Sequence, residues 1–134
     1  MIVTAAWNEG KHFVAQAEGL APVTMSWGTD RKDFSPMELL LASLAGCTGI
    51  DIVDILTKMR EKVTKVEVVV EASRREEHPR YWNNIKVRYE ISGDSISEEK
   101  AGRAVKLSVE KYCSVSAMFR QEVKLTHSFS VHQK

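Results

Sequence analysis

Between Leu39 and Ile50 the run LLLASLAGCTGI holds only two polar residues, Ser43 and Thr48. A helix through this run has no wet face, whereas a surface helix carries a polar stripe opposite its apolar one. Start signals are in place just before it. Ser35 is a good N-cap, Pro36 takes the first helical position, where its missing N–H costs nothing, and Glu38 stands three residues after the cap to close a capping box. The spacing predicts one long helix from Ser35 to Met59, buried nearly all round, with Cys47 in its middle. Function then turns largely on what that thiol does.

Short strand-like runs precede the helix at residues 2–7 (IVTAAW), 12–17 (HFVAQA) and 23–27 (VTMSW). Gly10 and the Gly19 to Pro22 segment supply the turns between them. After the helix, residues 66–72 are rich in β-branched side chains. Residues 85–91 alternate, with Ile85, Val87, Tyr89 and Ile91 on one face and Lys86, Arg88 and Glu90 on the other. Between these two strands SRREEHPRYWNN reads as a projecting, solvated hairpin end. Ser97 caps an amphipathic helix running to about Cys113, Ser114 or Ser116 starts a short third helix through Arg120, and residues 123–131 form a last strand with His127 on its apolar face. Three strands, helix, two strands, two helices and a strand make an α+β domain rather than an alternating parallel fold.

A chain of 134 residues is one domain, 1–134, by size. Its 19 Lys and Arg against 18 Asp and Glu are not gathered into a basic run, so the charge pattern predicts no nucleic-acid partner and no membrane-surface partner. The first residues lack the pattern of a signal peptide, and Asp51 and Asp54 interrupt the longest apolar stretch, which predicts a soluble, cytoplasmic protein. Two cysteines without CxxC or HxxH spacing predict neither a structural disulfide nor a metal site, and no cofactor. They are either ordinary buried small side chains or a redox pair.

A helix apolar on all sides needs more cover than one small chain provides. Ala42 with Gly46, and Ala45 with Gly49, put small residues in rows along it, which predicts close approach of a symmetry mate and a homodimer. Glu38 is nine positions before Cys47, on the opposite face and about 13 Å away along a straight helix, so it cannot reach that thiol on its own chain. Burial alone would hold Cys47 protonated. Cys113 precedes a short helix whose free N–H groups favour a thiolate, and by local physics it reads as the more easily ionised of the two.

SPMELLLASLAGCTGIDIV and EKYCSVSAMF resemble the two cysteine-bearing segments of the OsmC/Ohr family of thiol-dependent peroxidases, and the resemblance spans essentially the whole chain. AGCTGIDIVDIL, SRREEHPR, EKYCSV and THS together resemble its YhfA-like branch. The resemblance implies an intertwined homodimer with the element order read above and active sites at the dimer interface. It implies a peroxidatic Cys47 that attacks a hydroperoxide, forming a sulfenic acid, and a resolving Cys113 that closes a Cys47–Cys113 disulfide. An external dithiol would restore the pair.

In the Ohr branch an arginine of the first hairpin stabilises the thiolate, held by a glutamate right after the helix-start proline. Here the first hairpin is NEGK, and Met37 follows Pro36. Glu38, Arg80 and His127 are therefore the candidate supporting residues, with Lys11 and Arg31 as further cations that could replace the missing one. Against the peroxidase stands a non-enzymatic dimer of the same fold, either a thiol redox sensor or a carrier of a small ligand. Metal binding by Cys47, Cys113 and His127 is the weakest reading, because no ligand spacing supports it.

Overall fold

Helix α1 (Pro36–Lys58) begins as its first residues require. The Glu38 N–H donates to Ser35 Oγ at 3.2 Å and the Ser35 N–H donates to Glu38 Oε1 at 3.0 Å, which is the reciprocal capping box. The computed structural model describes residues Met1–Lys134. Before α1 come β1 (Thr4–Ala6), β2 (His12–Gln16) and β3 (Val23–Ser26); after it come β4 (Lys62–Arg74), β5 (Trp82–Asp94), α2 (Glu98–Leu107) and β6 (Lys124–Gln133). The order and the α+β class are those expected from the sequence.

The chain divides into two compact units, Met1–Leu40 and Leu41–Lys134. In the first, β1, β2 and β3 form an antiparallel sheet, with Phe13 opposite Met25 and Ala5 opposite Ala15. Ser26 is the one buried residue of its strands. Ile2, Val3, Trp7, Phe13, Val23, Trp27 and Phe34 are all exposed, so this sheet has an apolar surface without a core.

In the second unit β4, β5 and β6 form a mixed sheet, β4 antiparallel and β6 parallel to the central β5. The alternation in β5 is realised in full, since Ile85, Val87, Tyr89 and Ile91 are buried while Lys86 and Arg88 are exposed. These four join Leu44, Ile52 and Leu56 of α1 and Ala101, Ala104 and Val105 of α2 in one hydrophobic cluster. Ser97 caps α2 as expected, accepting the Lys100 N–H at 3.2 Å. The projecting β4–β5 end is not wholly solvated, because Tyr81 lies half-buried beside the guanidinium carbons of Arg75 and Arg120, 5.0 and 4.9 Å from its ring centroid.

Within one chain helix α1 is covered along one stripe, Leu44, Thr48, Ile52 and Leu56, while Ile50 is 64% exposed and Val53 42%, so a single chain leaves part of this apolar helix bare, as its composition led one to expect. By length and apolar composition α1 also meets the requirement for crossing a membrane in spite of Asp51 and Asp54. Its buried stripe instead packs in the cluster with β5 and α2, which is how a core helix of a soluble protein is used.

The second helix does not run as α-helix to Cys113. Residues Ser108–Tyr112 form one π-helical turn, and the third helix is a single 3-10 turn, Ser116–Met118. Helical periodicity in sequence cannot distinguish an α from a π turn over so few residues.

Candidate functional site

Cys47 is presented half-buried by α1, and Cys113 lies at the end of the π turn, 5% exposed. Their sulfurs and a carboxylate oxygen of Asp51 all lie within 4.8 Å of one another. Sixty-six positions apart in sequence, the two thiols are thus brought together.

Two features of local structure build this juxtaposition. Cys47 and Asp51 are four apart and share a face of α1. In an α-helix Ser108 and Cys113, five apart at about 100° per residue, would point about 140° away from each other. The π turn instead bonds the Cys113 N–H to the Ser108 carbonyl at 2.8 Å, so both residues are on one side. The Ser108 hydroxyl, fully buried, then donates to Asp51 Oδ2 at 2.8 Å.

Cys113 is not the more easily ionised thiol that its position before a short helix suggested. Burial pushes its pKa up, and the hydrogen bond and charge of Cys47 add to the rise. The expected N–H donor is present, since Ser116 N–H reaches Cys113 Sγ at 3.4 Å, but the Ser116 side chain and N–H, which both lower the thiol pKa, do not offset desolvation. Cys47 is thus the more accessible thiol, and Cys113 the buried one whose pKa is raised.

Among the candidate supporting residues, Glu38 does more than cap. Both oxygens of its carboxylate accept from the Arg31 guanidinium, whose Nη1 also donates to the Asp33 carbonyl at 3.2 Å. The loop between β3 and α1 is folded to permit this, with Ser26 Oγ donating to Asp33 Oδ2 at 2.7 Å and Ser26 N–H to the Phe34 carbonyl at 3.1 Å. The guanidinium, with the Ser35 N–H, holds the Glu38 carboxyl down to a pKa of about 2. Of the three cations weighed from sequence, Arg31 is the one joined to Glu38. Arg80 is exposed, and its carbonyl accepts from Arg74 Nε at 2.7 Å.

His127 lies outside the thiol cluster. Its Nδ1 is 2.8 Å from the Tyr89 hydroxyl, the two rings are stacked, and its buried Nε2 has no hydrogen-bond partner in the chain. Burial lowers the His127 pKa, so the ring is neutral at pH 7. Burial likewise pushes Tyr89 up to about 12, and its phenol interacts with Thr48 of α1 and with the charges of Cys113 and Asp51. His127 therefore meets Tyr89 and not the sulfurs.

Asp51 and Ser108 are the site residues that sequence reasoning did not single out. The signal available was the i, i+4 spacing of Cys47 and Asp51 inside an apolar helix, where a carboxylate requires a partner. As donors for a soft divalent cation, the site offers two sulfurs and one oxygen, from Cys47, Cys113 and Asp51 rather than from His127.

The description "OsmC-like protein" belongs to a family profile that matches residues 28–128. Protein YhfA of Escherichia coli K12 is 38% identical over 125 residues, covering 93% of each chain. Among solved structures, a hypothetical protein from Aquifex aeolicus superposes with a TM-score of 0.89 at 32% identity, over 99% of this chain and 96% of that one. The organic hydroperoxide resistance protein OhrB of Bacillus subtilis shares the fold, with a TM-score of 0.67 at 18% identity over 96% of each chain. With this profile spanning most of its length and a relative of such identity, the chain belongs to the OsmC family.

Proposed function

We propose that this protein is a dimeric thiol peroxidase that reduces hydroperoxides, organic ones included. The observation that carries the reading is the pair of sulfurs, half-buried Cys47 and buried Cys113, within 4.8 Å of each other. The Cys47 thiolate attacks the distal oxygen of the O–O bond, giving an alcohol and a Cys47 sulfenic acid. Cys113 then displaces water to close the disulfide, and an external dithiol reduces it. Hydroperoxide resistance proteins occur in the same family, which agrees with this chemistry. A reducing cytoplasm is the compartment in which such a pair is kept as thiols.

Homodimerisation accounts for surfaces that one chain leaves bare. Ala45, Gly46, Gly49, Ile50 and Val53 of α1 line an open apolar groove with Val66 and Val68 of β4. A Cβ at Gly46 would meet nothing within 4 Å, although glycine costs a helix about 1 kcal/mol relative to alanine. Such a residue fits a helix that must let a second backbone approach. The Arg31–Glu38 pair supplies the guanidinium that the first hairpin lacks, and in the dimer we assign it to balancing the negative charge that develops at a second copy's Cys47.

The test is turnover of cumene hydroperoxide and hydrogen peroxide by the reduced protein under dithiol recycling. Wild type is expected to consume peroxide catalytically and Cys47→Ser to give only the background rate. Equal rates would sink the enzyme reading, and oxidation without recycling would favour a redox sensor of the same fold.

A further inference from the structure

Closing a disulfide from a thiol and a sulfenic acid moves a proton as well as electrons. The Cys113 thiol must lose its proton as its sulfur attacks, and the hydroxide leaving Cys47 must gain one. Cys113 is buried and held in its protonated form, so a preformed thiolate does not perform the attack. A base at this point is a chemical requirement of the geometry.

We propose that Asp51 is that base and the proton carrier of the thiol-closing step. Its carboxylate takes the proton from the Cys113 thiol while the Cys113 sulfur bonds to the Cys47 sulfur. It returns the same proton to the hydroxide as the Cys47 S–O bond breaks, releasing water. The sulfenic sulfur is reduced, the thiol sulfur is oxidised, and no further reactant is consumed. Only the oxidant rests on the peroxidase reading; the proton transfer would serve any reaction in which Cys113 attacks an oxidised Cys47.

Geometry selects Asp51 over its neighbours. It is the one carboxylate within 4.8 Å of both sulfurs. Ser108 fixes one oxygen, Oδ2, at 2.8 Å. The neighbouring groups are poor bases: Tyr89 keeps its proton with a pKa of about 12, and Thr48 is a hydroxyl whose Oγ1 donates to the Leu44 carbonyl at 3.0 Å; His127, behind Tyr89, is engaged with that phenol. A carboxylate inside an apolar helix stretch is costly to keep, and a proton-transfer role gives it a reason beyond tethering the π turn.

A peroxide-independent reaction isolates the step. Cys47 is converted to its mixed disulfide with thionitrobenzoate, and release of the coloured thiolate by Cys113 is followed from pH 5.5 to 9. Wild type is expected to release it rapidly and with little pH dependence over that span. Asp51→Asn, which retains an oxygen acceptor for Ser108, is expected to slow release about 10²-fold near neutral pH and to speed up roughly tenfold per pH unit, because it must await the Cys113 thiolate. Ser108→Ala keeps the carboxylate and is expected to keep the flat profile. An Asp51→Asn protein with the wild-type rate and profile would overturn the proposal. So would a Ser108→Ala protein that reproduces the Asp51→Asn profile, since the role would then be tethering. Asp51-dependent release in a protein that forms no sulfenic acid with hydroperoxides would retain the base and reject the peroxidase.

Discussion

Ser108 and Cys113 are joined by a π-type hydrogen bond of 2.8 Å from the Cys113 N–H to the Ser108 carbonyl, and this bond places the second thiol beside the first. Deleting the exposed Glu110 removes the residue that the wider turn accommodates, and the segment should revert to α-helix with Cys113 turned away from α1. The deletion variant is expected to stay folded but to form no intrachain disulfide with peroxide. Peptide mapping under non-reducing conditions reads the outcome, and a Cys47–Cys113 peptide at the wild-type yield would refute it.

Ser35→Ala removes the acceptor for the Glu38 N–H and is expected to cost about 1 kcal/mol, a fall of about 4 °C in Tm. The pH dependence has a defined sign. Glu38 is depressed from 4.5 to about 2 in the folded chain, so its contribution is fully present above about pH 4.5 and is lost as pH falls toward 2. Glu38→Gln should flatten that part of the stability curve measured by urea unfolding, and an unchanged curve would count against the Arg31 pair as its source.

Tyr89→Phe leaves the buried His127 Nδ1 without its hydroxyl partner, and the expected loss is about 1–3 kcal/mol in denaturant unfolding. His127 acts in the opposite sense to a histidine that gains a carboxylate. Burial lowers its folded pKa below 6.5, so the folded state loses stability as pH drops through about 6.5 and below, where the unfolded chain takes up a proton first. A His127→Gln protein with the same slope between pH 5 and 6.5 would exclude this origin.

A Cβ at Gly46 meets nothing within 4 Å, so Gly46→Leu should leave the subunit folded while its side chain fills the groove beside Ala45 and Gly49. Analytical ultracentrifugation is expected to show a dimer for wild type and a monomer for the variant. A dimer of unchanged affinity would move the interface elsewhere on the surface.

Metal removal checks the donor set. Chelator treatment followed by metal analysis is expected to find no stoichiometric cation on Cys47, Asp51 and Cys113, and the thiol reactivity and Tm should be the same before and after. A bound divalent ion whose loss lowers Tm would make the cluster a metal centre.

How much of this was legible from sequence follows from how local each feature is. The α1 start was readable because a capping box is written in Ser35, Pro36 and Glu38, and β5 because alternation from Ile85 to Ile91 has a period of two. The site pair came from the resemblance. Its physics did not, because the burial that raises Cys113 depends on elements distant in sequence. Arg31 could not be ranked above Lys11 or Arg80 from spacing alone, since the fold of the loop through Ser26 and Asp33 decides where it points. The parallel β5–β6 pairing and the π turn likewise have no local signature.

The bare three-stranded sheet formed by β1, β2 and β3 has a thermodynamic consequence. A sheet with only Ser26 buried cannot derive its folding free energy from its own interior. If association supplies it, the melting temperature of this protein becomes a function of how much protein is in the tube, rising with each dilution step reversed. Ordering of these strands would then be second order in chain, and the N-terminal segment of a newly made copy would wait for another to arrive.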